Sequence, residues 1–191
     1  MNLKHAIIAA AMSLAATAAS ATVITFTGLT TQYGDGNRLA SSMTATAKSL
    51  SYTESGYIFT LFTPNASPFN AHIGDVGGAN TFNWHDGIEN GVGAYVTITK
   101  VDGGLFNLNS FNYFSGGGIT VSATGNSNAV LSGRGVANLN FLGVSSATFS
   151  SARISQNQID NVNLTSVPEP ASLALFAAGF GLLGFARRRK A

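Results

Sequence analysis

Between residues 22 and 166 the apolar side chains recur at alternate positions, and no stretch keeps a helical period. Val96 and Ile98 alternate with Tyr95, Thr97 and Thr99; Tyr57, Phe59 and Leu61 share one face, as do Ile119, Val121 and Ala123. A period of two places one side of each run against a core and predicts half-buried strands. Asp102-Gly103 separates Ala94–Val101 from Leu105–Tyr113 and predicts a hairpin, because such turns need positive φ. Asp35-Gly36, Gly77-Gly78, Asp86-Gly87 and Gly116-Gly117-Gly118 predict further turns. Phe106 and Leu108 have one parity and Phe111 and Tyr113 the other, which a bulge near Asn109-Ser110 would reconcile. About nine short strands with no internal repeat predict an all-β fold, a two-sheet β-sandwich of jelly-roll type.

The two ends of the chain have a different pattern. Lys4 precedes an apolar stretch, Ala6 to Ala16, and Ala19-Ser20-Ala21 follows with small residues suited to signal peptidase. Residues 1–21 therefore read as a secretory signal peptide, with Ala19 and Ala21 at the cleavage site. At the other end, Val167-Pro168-Glu169-Pro170 precedes an apolar run, Ala171 to Ala186, closed by Arg187, Arg188, Arg189 and Lys190. Sixteen residues make roughly 24 Å of helix, a little short of a ~30 Å hydrocarbon core, a deficit that snorkelling arginines can cover. The positive-inside rule keeps the basic cluster in the cytoplasm. The signal peptide sends the preceding chain across the membrane, so both topology signals agree.

Composition narrows the chemistry. Of 191 residues only 9% are charged while 45% are hydrophobic, and there is no Cys. Disulfides, thiolate metal sites and a cysteine nucleophile are thereby excluded. The formal charge of +2 belongs to the ends. Residues 22–166 hold five bases and seven acids, leaving −2, so a basic stripe for nucleic acid is missing. No G-x-S-x-G elbow, H-E-x-x-H helix or P-loop occurs.

The order of triplet, apolar helix and basic stop over residues 167–191 resembles the PEP-CTERM sorting signal of exopolysaccharide-producing Gram-negative bacteria. The resemblance implies transient insertion in the inner membrane, recognition by exosortase, a transpeptidase-like membrane protease, removal of the tail near the triplet, and passage to the cell surface or matrix. The same tail is sometimes labelled an ice-binding C-terminal motif, but a sorting tag carries no information about ice. Ile24-Thr25-Phe26-Thr27-Gly28-Leu29, Gly103 to Phe111 and Ile159-Asp160-Asn161-Val162 resemble sandwich domains common behind this tail, except that Thr27 stands where an acid is frequent. Similar closing strands occur in carbohydrate-binding jelly rolls that hold a structural calcium.

Within the middle domain, Asp160 shares parity with Val162 and Leu164 and so is expected to point inward, where calcium or several N–H donors would offset its lost hydration. His72, Asp75, His85 and Asp86 form a His/carboxylate group whose spacing fits no established metal motif. Trp84 and Tyr113 could stack on sugar rings if exposed, or fill the core. Asp86 and Glu89 are neighbouring acids, and a glycosidase needs two carboxylates at a set separation. The leading reading is a non-catalytic, exosortase-processed surface or matrix protein associated with extracellular polysaccharide. A calcium-dependent, lectin-like module and a secreted hydrolase are the alternatives.

Overall fold

The computed structural model describes residues 20–27, 43–46, 49–62, 73–75, 80–84, 93–151 and 156–168. Among them there are strands and no helix, and no helix long and apolar enough to cross a membrane. The signal-peptide residues before Ser20 and the apolar and basic segments after Pro168 lie outside the described residues. Residues 21–167 form one compact unit.

Among the described residues eleven strands run in chain order: β1 (Ala21–Ile24), β2 (Met43–Ala45), β3 (Ser49–Glu54), β4 (Tyr57–Phe62), β5 (Ile73–Asp75), β6 (Asn80–Trp84), β7 (Tyr95–Lys100), β8 (Phe106–Ser122), β9 (Ala129–Val144), β10 (Ser146–Ser151) and β11 (Asn157–Ser166). They join antiparallel in the order β2-β3-β4-β7-β10-β8-β11-β6-β5, with β1 beside β11 and β9 beside β8. Phe59 on β4 and Phe82 on β6 have four strands between them in this order, yet their ring centroids lie 5.8 Å from each other. Tyr57 on β4 likewise meets Phe106 on β8 at 5.7 Å. The sheet is therefore curled on itself, and its inner faces pack as the two layers of a β-sandwich. Phe26, just after β1, reaches Phe59 at 5.0 Å and Phe82 at 5.6 Å, joining both layers.

The 17-residue β8 serves both layers. One of its edges pairs with β9 over most of its length. The other is divided: Phe106–Ser115 pairs with β11, and Ile119–Ser122 with β10. The change of partner falls at Gly116-Gly117-Gly118, which the sequence predicts as a turn. The chain instead continues, because Gly116 N donates to Gln156 O (3.0 Å) and Gly118 N to Ser115 Oγ (2.8 Å). Ser115 Oγ in turn donates to Asn157 Oδ1 at 2.7 Å. Gly118 sits at φ 99°, a conformation that side chains disfavour.

Asp102-Gly103 does form a tight turn. Gly103 N donates to Lys100 O (3.2 Å) at φ 74°, and Asp102 Oδ1 accepts from Gly104 N (2.8 Å). The expected hairpin is nevertheless corrected: β7 pairs with β4 and β10, so the turn carries the chain between layers. Turn chemistry fixes local φ and leaves the choice of strand partner open. The alternations hold, with Tyr57, Phe59, Leu61, Val96, Ile98, Ile119 and Val121 all buried. The predicted bulge is present as well. Leu164 pairs with Leu108 and Asn163 with Ser110, which leaves Asn109 as the extra residue. Asn109 Nδ2 donates to Asn163 Oδ1 (3.1 Å) and Thr165 Oγ1 (2.8 Å), tying the bulge to β11.

Candidate functional site

On β11, Asn157 and Ile159 are buried while Gln158 and Asp160 between and beyond them are half-buried. The alternation predicts that Val162 would follow Asp160, but a second bulge intervenes. Asn161 adopts φ 48°, and the register slips between Asp160 and Asn163. Val162 and Leu164 then return to the core. Asp160 is thus on the outer face, and the inward orientation expected from parity is corrected. The cause is local: Asp160 Oδ1 accepts from Asn161 N (2.6 Å) and Oδ2 from Asn161 Nδ2 (3.0 Å). Asn tolerates the left-handed conformation better than a β-branched residue would.

Outward residues of neighbouring strands line up through the register. Gln158 is opposite Phe114, and Phe114 is opposite Arg134. One step along, Asp160 is opposite Asn112, and Asn112 is opposite Val136. Cross-strand neighbours on one face touch. With Gln156 before β11 and Thr81 on β6, these two rows line a groove of about 720 Å³. Arg134 Cζ lies 5.5 Å from the Phe114 ring centroid, a cation–π contact worth about 0.5–1 kcal/mol at an exposed site. Burial raises the Asp160 carboxyl above its ordinary value of 3.8; the Asn161 N–H draws it back, and the Glu54 carboxylate adds to the rise. Glu54 itself accepts from Tyr52 Oη (2.6 Å) and Thr25 N (3.2 Å).

Phe82 belongs to the inner ring cluster, so Thr81 and Asn83 alternate to the outer side of β6. Both are buried, and Thr81 Oγ1 and Asn83 Oδ1 have no hydrogen-bond partner among the described residues. A buried polar atom left unpaired costs about 1–3 kcal/mol.

Of the residues expected to contact a ligand, the groove brings together Asp160 and Tyr113. Tyr113 only borders it. Its ring packs edge-on against Phe111 at 6.3 Å, and a Cβ on Gly135 would lie 3.2 Å from its hydroxyl. Trp84 is fully buried, with its ring 6.4 Å from that of Phe82, so neither ring face is open for stacking and that expectation is corrected. The aromatic that faces the groove is Phe114. Sequence reasoning passed over it, along with Asn112, Arg134, Gln156 and Gln158. The available signal is the run of three amides Gln156-Asn157-Gln158, read against Arg134, the single cation of the glycine-rich strand β9.

His72, His85, Asp86 and Glu89 lie outside the described residues, as do Ala19, Glu169, Pro170 and the basic stop Arg187, Arg188, Arg189 and Lys190. Asp75 ends β5. Among the described residues no three His, Asp or Glu side chains converge, so a calcium ion at Asp160 would have to draw on amide and carbonyl oxygens. Val167 follows β11 directly, and its N–H donates to Leu105 O (3.0 Å). The folded domain therefore runs without a spacer into Pro168.

Two mutants of CBM29-2, a family 29 carbohydrate binding module, are similar in structure. One shares 10% identity over 78% of this chain and 87% of its own, with a TM-score of 0.40. The other, complexed with mannohexaose, shares 11% over 78% and 93%, with a TM-score of 0.36. Neither is similar enough for its ligand to be carried over. No curated protein matches the sequence, and no catalytic family is indicated. Residues 166–190 match the family model of the PEP-CTERM protein-sorting motif. That motif implies processing by exosortase and export across the inner membrane to a cell-surface or secreted location. Behind its β-sandwich, then, the chain carries a PEP-CTERM protein-sorting motif.

Proposed function

We propose that this chain is a non-catalytic protein of the bacterial cell surface or extracellular matrix, exported by a signal peptide, processed by exosortase in a Gram-negative host, and associated with exopolysaccharide. The sorting motif at residues 166–190 carries the reading. The geometry around it fits such handling. Ala21 pairs with Thr165 at the far end of β11, so the sandwich begins and ends at one pole. Cleavage near Pro168-Glu169-Pro170 would release the domain with every strand retained. Signal-peptide removal after Ala21 would still leave Thr22, Val23 and Ile24 paired with β11.

The test is processing in cells. Replacing Pro168, Glu169 and Pro170 with alanine is expected to leave a longer, membrane-retained form, while the wild-type chain loses its tail and reaches the surface fraction. Identical masses and locations for the two would overturn the assignment. The lectin-like alternative makes a separate demand, namely that glycan retention be abolished by a calcium chelator.

A further inference from the structure

We infer that the outer-face groove between β6, β11, β8 and β9 is a binding site for an uncharged polysaccharide chain. This deepens the proposed association with exopolysaccharide and rests on it. The first observation is the balance of chemistry in the two rows. Arg134 and Asp160 give one charge of each sign, and the other polar side chains are the amides Asn112, Gln156 and Gln158 and the hydroxyls of Thr81 and Tyr113. A primary amide both donates and accepts, as a sugar hydroxyl does, so a row of amides is complementary to a polyhydroxylated ligand. Phe114 and the exposed Val136 supply apolar surface for the C–H faces of sugar rings. A polyanion would instead call for several cations, and the groove has one.

The second observation is independent of the first. Thr81 lines the groove, is only 7% exposed, and its Oγ1 has no hydrogen-bond partner among the described residues. Unpaired buried polar atoms are uncommon in native folds, and each calls for a completing group. Oγ1 is itself closed to solvent, so a ligand hydroxyl completes it only when the Thr81 side chain turns toward the groove.

The third is position. Asp160 and Ser166 are six residues apart on β11, about 20 Å at ~3.3 Å per residue. Both ends of the sandwich lie near Ser166, so the groove sits at the opposite pole, clear of the point where the chain leaves for the sorting motif. The rows stand on paired strands, which hold a constellation of side chains more rigidly than loops do.

The full chain, purified in detergent micelles, is to be titrated with soluble neutral polymers (β-glucan, mannan, galactan) and with polygalacturonate and alginate. At least one neutral polymer is expected to bind, with affinity changed less than about twofold between about 50 and 500 mM NaCl, since no net charge is being screened. Phe114→Ala and Gln158→Ala should each weaken it about tenfold or more. Val130→Ser, on the exposed start of β9 outside the groove, should leave it unchanged. Circular dichroism and thermal midpoints show which variants are folded. Binding confined to the anionic polymers with steep salt dependence, no neutral polymer bound, or full binding by folded Phe114→Ala and Gln158→Ala would each overturn the proposal. Because the measurement needs no processing in cells, such a failure is separate from failure of the sorting assignment.

Discussion

Asp160 shows how one backbone angle changes what a residue can do. With Asn161 extended, Asp160 would share the face of Val162 and Leu164; at φ 48° it is turned out to the groove. There its carboxyl is raised above 3.8, chiefly by burial. The proton is then held more tightly in the folded chain than in the unfolded one. Stability must therefore fall as pH rises from the ordinary carboxylate value through the raised one, and level off above it. Asp160→Asn keeps an acceptor for the Asn161 N–H and removes the titration. Its thermal midpoint relative to wild type is expected to be higher near pH 7 than near pH 3. A constant difference across that range would show that the environment of Asp160 has been misjudged. Asp102 works in the opposite sense: held low by the Gly104 N–H and by Lys100, it stabilises above the ordinary value and loses that contribution in acid. At this scale the sequence named Asp160 as the acid to watch, yet its orientation was illegible. Parity counting assumes extended backbone, and nothing in Asp-Asn-Val announces that Asn161 leaves it.

Strands were legible wherever one face met the core. The alternations at Tyr57–Leu61, Val96–Ile98 and Ile119–Val121 each bury the predicted side, and the bulge at Asn109 follows from the switch of parity between Leu108 and Phe111. Partners were not legible, because alternation says which face is buried and nothing about which edge is paired. Asp102-Gly103 predicts a hairpin from its φ preference alone, and Gly116-Gly117-Gly118 a turn. In fact the glycines let β8 change partner from β11 to β10 while its pairing with β9 resumes at Ile119. Gly118 is the constrained member, since at φ 99° an alanine is strained even though the nearest atom to its Cβ, Leu131 O, is 3.8 Å away. Gly118→Ala is expected to cost about 1–2 kcal/mol in urea denaturation. A neutral result would mean the strand relaxes there, and the hinge would then have to be sought at Gly116 or Gly117.

For the molecule as a whole, stability has to come from the space between the layers. Among the described residues the one direct ion pair, Lys100–Asp102 at 2.9 Å, has a largely exposed carboxylate and so contributes little. The interior is aromatic instead, and composition foretold that much: many Phe, few charges, no Cys. What composition could not supply is the closure, in which Phe26 from the N-terminal end meets Phe59 of one layer and Phe82 of the other. Those three residues are far apart in sequence, and only the curled sheet brings them together. Phe59 touches both of the others, so Phe59→Ala opens a void on which both layers depend. A loss of about 3–5 kcal/mol is expected. The sandwich should still unfold in a single transition, because neither layer has another core to retreat to. Two resolved transitions in the variant, by near- and far-ultraviolet circular dichroism, would mean that one layer persists alone. The groove on β6, β8, β9 and β11 would then rest on half a fold rather than on a closed sandwich.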